Sequence, residues 1–301
     1  MNTYIDGEGS MKYFVAFIFI VLGISLINQS ALHATSGAYA ALGDSVAAGA
    51  GLPSSDTTCK RSTESYTYSV ASTVGLPLEH YACSGAKVDE GIYGSQKVGT
   101  KLPTQLDQAF AKGKPSLISL TIGANDARWT QFIYQCYYIK CGYKADTLRF
   151  KGYLLDLKLE LNTAMAKIST LSNGKPPQVI LTGYYNPLTK AACSDTEGLT
   201  SSEISWLKTR TSSLNSTISS VASKYSYVTY ASTSFRGHEL CSSEPWVQGL
   251  DDPMPFHPTA AGQQAIARSV SAKYKSSDQS TSPKSTRERI LDWYNRQKQQ
   301  Y

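Results

Sequence analysis

The chain has 301 residues, 41% of them hydrophobic, and a formal net charge of +6 at pH 7. That length allows one or two domains with a sizeable core. The charge excess is small and no run of Lys or Arg is interleaved with aromatics, so no nucleic-acid partner is expected.

In chain order, Lys12 precedes an apolar stretch over residues 13–27, followed by small and polar residues. The stretch is shorter than the roughly 20 residues that span a bilayer core. This is the layout of a secretory signal peptide, expected over residues 1–34, with Met11 as an alternative start. Cleavage is expected near Ala34; a cut after Ala40 has the better small-residue pattern but removes the first strand. An uncleaved membrane anchor is the alternative. Six cysteines follow. An even count behind a secretory signal predicts disulfides, and pairing neighbours along the chain gives Cys59–Cys83, Cys136–Cys141 and Cys193–Cys241. No C-x-x-C is present, so a zinc site is not expected.

The segment "AYAALG" predicts a first strand ending at Gly43, and "LEHYAC" a second. "PSLISLTIG" is the clearest, nearly continuous in apolar and β-branched residues from Leu117 to Ile122, as in a strand buried on both faces. "PQVILTGYY" and "YSYVTYAS" supply two more. Between them, Leu154, Leu157, Leu161, Met165 and Ile168 share one helical face, stopped by Asn173-Gly174. Ile204, Leu207, Leu214, Ile218 and Val221 form a second stripe, which Thr200-x-x-Glu203 opens as a capping box. "TAAGQQAIARSV" reads as a last helix with Pro258 in its first turn. Alternating strands and helices predict a doubly wound three-layer α/β/α sandwich on a mainly parallel, about five-stranded sheet. The domain is expected over residues 35–275, and a polar linker with a short basic amphipathic tail over 276–301.

In such sheets ligands bind beyond the carboxyl ends of the strands, and four segments stand there. Gly43-Asp44-Ser45 follows the first strand, where a serine at a helix start is presented at the sheet rim and its N–H favours an oxyanion. Gly85 follows the second strand and lets the backbone approach a ligand. Gly123-Ala124-Asn125-Asp126 follows the third, and an asparagine there offers its amide to a developing oxyanion. His257 precedes Pro258 in the loop before the last helix. Each segment alone is also explained as a turn or a cap. Beyond residue 34 the only other histidines are His80, inside a predicted strand, and His238, beside Cys241.

Together, in this order, the four segments resemble the SGNH (GDSL-like) hydrolase family: Ser45 in the G-D-S block, Gly85 in the second, Asn125 in G-x-N-D and His257 in H-P. The cysteines and the "GHELC" segment are similar to those of the family's secreted bacterial lipases and esterases. The resemblance covers most of the chain. It implies a flavodoxin-like fold and a serine ester hydrolase, with Ser45 as nucleophile, His257 as general base, and an oxyanion hole from the Ser45 N–H, the Gly85 N–H and the Asn125 side chain. No metal or organic cofactor is implied. An α/β-hydrolase is not expected, since Ala47 stands where G-x-S-x-G needs its last glycine.

One departure bears on mechanism. Where the family carries an Asp three residues before its His, this chain has Met254. A main-chain carbonyl near Met254 is expected to orient His257, with Asp252 as the other candidate. Trp129, Phe132, Tyr134, Tyr137 and Tyr138 are expected near the site, where they suit an acyl chain or a sugar ring equally, and a core role is equally open for any single one. Lipid esters and acetylated glycans both stay open as substrates. A non-catalytic envelope-binding module on the same fold, with the tail contacting an envelope surface, is the competing class. A monomer is expected.

Overall fold

The computed structural model describes residues 37–54, 56–189 and 192–275. The signal peptide expected over 1–34 and the tail over 276–301 lie outside the described residues. Five parallel strands form the main sheet: β1 (Tyr39–Gly43), β2 (Leu78–His80), β5 (Leu117–Thr121), β6 (Gln178–Thr182) and β7 (Val228–Ala231). Their order is β2-β1-β5-β6-β7. The helices are α1 (Ser45–Ala48), α2 (Tyr66–Val74), α3 (Gln105–Phe110), α4 (Trp129–Tyr138), α5 (Lys144–Leu171), α6 (Ser201–Ala222) and α7 (Ala260–Ser271). This is the doubly wound order in which the strand sequence reverses beside β1, and the crevice at such a reversal is where ligands bind.

Every residue of β1 and of β5 is buried, which explains their nearly continuous apolar character. The hydroxyls inside this core are satisfied: Tyr39 Oη meets Ser119 Oγ at 2.6 Å, and Tyr66 Oη meets Thr121 Oγ1 at 2.8 Å. Helices pack in pairs, α2 with α7 and α5 with α6. In α5, Leu154, Leu157, Leu161, Met165 and Ile168 are buried as their spacing predicts. The helix ends where Asn173 and Gly174 take positive φ, a left-handed stop. It starts earlier than the apolar stripe, at Lys144, because the Asp146 carboxylate accepts from the Tyr143 N–H at 3.0 Å. In α6 the capping box forms, with Glu203 accepting from Thr200 N at 2.9 Å.

Two expectations are corrected. Pro258 lies outside the last helix: Thr259 is its N-cap, because a threonine hydroxyl can accept from the first turn and a proline cannot. Pro258 instead pairs with Val247 in an isolated bridge. A small antiparallel pair, β3 (Lys97–Val98) and β4 (Thr100–Lys101), is present where no strand was expected. Two residues a side are too few to leave an alternation in the sequence.

Three disulfides are present, Cys59–Cys83, Cys136–Cys141 and Cys193–Cys241. The first joins the segment after α1 to the end of β2. The third joins the loop after β6 to the loop after β7. In the chain-entropy model, loops of 24 and 48 residues each contribute roughly 3–4 kcal/mol.

Candidate active site

The end of β1 delivers the serine. Gly43 is held on both sides by the side-chain amide of Gln105, which accepts from its N–H at 2.8 Å and donates to its carbonyl at 2.9 Å. Asp44 then caps α1, accepting from Val46 N at 2.9 Å through one oxygen and from the Tyr184 hydroxyl through the other. That hydroxyl in turn accepts from Ala124 N at 3.1 Å, so one buried tyrosine ties the loop after β1 to the loop after β5. Burial pushes the Asp44 carboxyl up to about 6, against the pull of Tyr184 and Val46. Ser45 is the first residue of α1. Among the described residues, neither its N–H nor that of Gly85 donates to a protein group, so both are free for a ligand.

Ser45 Oγ lies 2.7 Å from His257 Nε2. His257 Nδ1 lies 3.1 Å from the Pro255 carbonyl oxygen. A carbonyl only accepts, so the proton sits on Nδ1, and Nε2 is left to accept from the serine hydroxyl. Burial lowers the imidazole pKa below its usual value, with the carbonyls of Pro255 and Met254 acting the other way. The ring is therefore neutral at pH 7. Its loop is pinned: His257 O accepts from Gln248 N at 2.7 Å, and Phe256 O from the Tyr185 hydroxyl at 2.7 Å. Gln248 also donates to Ala50 O at 3.2 Å, joining this loop to the segment after α1. Phe256 adopts φ 67°, a conformation that costs a bulky residue energy and that surrounding bonds must hold.

The carbonyl expected near Met254 is that of Pro255. Asp252 instead accepts from Gly249 N at 2.8 Å. Asp252→Ala is therefore expected to change kcat/KM for an ester by less than about tenfold; a drop of about 10³-fold or more would give Asp252 the orienting role. Among the described residues, the other two histidines are occupied elsewhere. His80 Nε2 meets Ala47 O at 3.1 Å, and burial takes its pKa down to about 4. His238 stacks on Trp246 at 3.8 Å.

Asn125 Nδ2 donates to Ala86 O at 2.9 Å, which spends one of its two amide hydrogens and fixes the side chain. Ser45, Gly85, Asn125 and His257 all line one cavity of about 510 Å³. Its wall is α4. Trp129, Ile133, Tyr134, Tyr137 and Tyr138 face the cavity, at the spacing of one helical face. Phe132, expected among them, points the other way and packs on Phe150 and Trp206. The far wall is braced by Asp195, whose carboxylate accepts from Leu250 N at 2.8 Å and whose carbonyl accepts from Tyr137.

Beside Asn125, the carboxylates of Asp89, Asp126 and Glu160 gather within 4.8 Å of one another. Desolvation raises the pKa of both Asp126 and Glu160, and their mutual proximity adds to the rise for Glu160. Groups raised in this way bind more protons folded than unfolded through the acid-to-neutral range, so their contribution to stability is lost as pH rises. Glu160→Gln is expected to raise Tm more at about pH 8 than at about pH 5. An equal shift at both would assign the change to packing.

The family model for GDSL-like lipases and acylhydrolases matches residues 41–265. The chain belongs to that family. This family member is 30% identical to a lipase of Streptomyces rimosus over 234 residues, 75% of this chain and 82% of the relative. It is 28% identical to Lipase 1 of Streptomyces coelicolor over 271 residues, 83% of this chain and 92% of the relative. The crystal structure of the extracellular lipase from Streptomyces rimosus superposes with a TM-score of 0.63 at 27% identity, covering 78% of this chain and 99% of the other. That of phospholipase A1 from Streptomyces albidoflavus gives the same score and identity over 80% and 100%. This acylhydrolase is a carboxylic ester hydrolase of the lipase/esterase kind.

Proposed function

We propose that the chain is a secreted serine ester hydrolase that works through an acyl-enzyme on Ser45, with His257 as general base, and that it prefers esters of apolar acyl chains. The observation that carries this reading is the 2.7 Å contact between Ser45 Oγ and His257 Nε2 at an aromatic-walled cavity. His257 Nε2 takes the hydroxyl proton as Oγ attacks the carbonyl carbon. The N–H groups of Ser45 and Gly85 and the Asn125 amide receive the oxyanion. The imidazolium then returns its proton to the leaving alcohol, and water repeats the sequence on the acyl-enzyme.

The acyl-chain preference is supported by the cavity: about 510 Å³ walled by Trp129, Ile133 and tyrosines suits an apolar chain far longer than acetyl. Relatives that are lipases, and a structural neighbour that is a phospholipase A1, agree with a lipid ester. Three disulfides fit an oxidising compartment and, with the sequence at residues 1–34, support secretion.

The test is labelling with a fluorophosphonate beside hydrolysis of p-nitrophenyl acetate, butyrate and palmitate. Labelling of wild type but not of Ser45→Ala, with turnover favouring the longer chains, is the expected result. Turnover of acetate alone would point to acetylated glycans, and neither labelling nor turnover would point to a binding module.

A further inference from the structure

Among the described residues ten large hydrophobic side chains are exposed, and seven of them fall within residues 134–159. Scattered singly such residues mean little, but a cluster marks a surface that meets something. Tyr134 and Tyr138, 60% and 74% exposed, stand at the cavity itself. Ile139, 71% exposed, follows directly. On α5, Leu148, Leu155 and Leu159 are exposed. At 100° per residue they lie within about 40° of one line. The face of α5 that holds Phe150, Leu154, Leu157 and Leu161 is already buried in the core. The outer leucines are therefore a second apolar face that the fold does not use.

The turn between α4 and α5 is held to the cavity. The Cys136–Cys141 disulfide closes it, and Gln135 donates to Asp146 in the first turn of α5 at 3.1 Å. Residues 128–159 carry six basic side chains and two acidic ones. One of the acids, Asp146, is buried and paired with Arg149 at 2.6 Å. Lys144 and Lys151 are exposed and lie one turn before Leu148 and Leu155. An apolar stripe edged by lysines on one side, with Asp156 on the other, matches an anionic interface with an apolar interior. A second copy would bring the same positive edge against itself. Residues 276–301, with five basic and three acidic side chains, are also a poor match in charge.

We propose that the α4–α5 turn and the outer leucines of α5 form a docking surface for an anionic phospholipid aggregate, seating the cavity on its substrate. The choice of a lipid rests on the ester-hydrolase reading, so the test is made in the inactive Ser45→Ala chain, where docking and catalysis are read separately. Its partition is measured by co-sedimentation with phosphatidylcholine vesicles with and without phosphatidylglycerol. Binding is expected to favour the anionic vesicles and to weaken severalfold in about 0.5 M salt. It is expected to weaken about tenfold or more when Leu148→Ser, Leu155→Ser and Leu159→Ser are combined. Any contribution of the apolar residues 13–27 is common to both chains. Lys144→Glu with Lys151→Glu is expected to abolish the preference for phosphatidylglycerol. In the Ser45 chain, the leucine variants are expected to leave hydrolysis of soluble p-nitrophenyl butyrate unchanged. The proposal is overturned if the leucine variants sediment as their parent does, if binding is indifferent to vesicle charge, or if the parent is a dimer that those variants dissociate.

Discussion

Ser45→Ala and His257→Ala are each expected to lower kcat for a p-nitrophenyl ester by about 10⁵-fold or more, and the double variant is expected to be little worse than either. The reason is that, in the proposed mechanism, the two side chains act as one unit. Without His257 Nε2 at 2.7 Å, the serine hydroxyl keeps its proton and is a poor nucleophile; without Ser45 there is nothing for the imidazole to activate. A residual rate above water is expected from the oxyanion donors and the binding cavity, which both variants retain. The pH profile gives an independent reading. His257 must be neutral to accept, and burial lowers its pKa from the ordinary value. Activity is therefore fully present above that value and lost as pH falls through a point below the free imidazole's about 6.5. An acid limb above about pH 7 would mean that the titrating base is not a buried, carbonyl-held imidazole. If the single variants lost unequal amounts and the double variant lost their product, the two residues would be acting separately.

What was legible in the sequence was whatever is written locally. Leu117 to Thr121 reads as a buried parallel strand because every position but Ser119 is apolar or β-branched, and α6 reads as a helix because its stripe and its capping box lie within one segment. Ser45 and His257 were readable because each sits in a short segment at a place where the fold presents side chains. The parts that hold them were not readable. Asp44 and Tyr184 are 140 positions apart, Gly43 and Gln105 are 62 apart, and Ala50 and Gln248 are 198 apart. In the sequence, Tyr184 is one more aromatic after an apolar strand, and Gln248 one more polar residue in a loop. Only the doubly wound topology brings them to the site. The sequence points to a main-chain carbonyl near Met254 as the acceptor for His257, but not to which one: that the Pro255 carbonyl faces the ring depends on loop backbone, including the positive φ of Phe256. Phe132 takes the core role that was open to any single aromatic of this segment, because composition does not say which face of α4 looks at the cavity.

Asn125→Ala is expected to lower kcat by about 10²–10³-fold with KM changed much less, because the oxyanion that its amide is proposed to meet exists only in the transition state. The same substitution removes the bond to Ala86 O, so a loss of activity could also come from the loop after β2 moving. Gly85→Ala separates the two. Gly85 has φ 81°, and a Cβ there would meet Gln96 Nε2 at 3.6 Å, an ordinary contact. Space is therefore available, and the demand for glycine comes from the backbone. An alanine that shifts this φ re-aims the Gly85 N–H while leaving Asn125 and its amide in place. If both variants lose kcat with little change in KM and melt near wild type, two donors of one oxyanion hole have been removed. If Asn125→Ala instead raises KM in step with a lower Tm while Gly85→Ala is nearly silent, Asn125 is a positioning residue for the loop, and the stabilisation of the oxyanion has to come from the N–H of Ser45 at the start of α1.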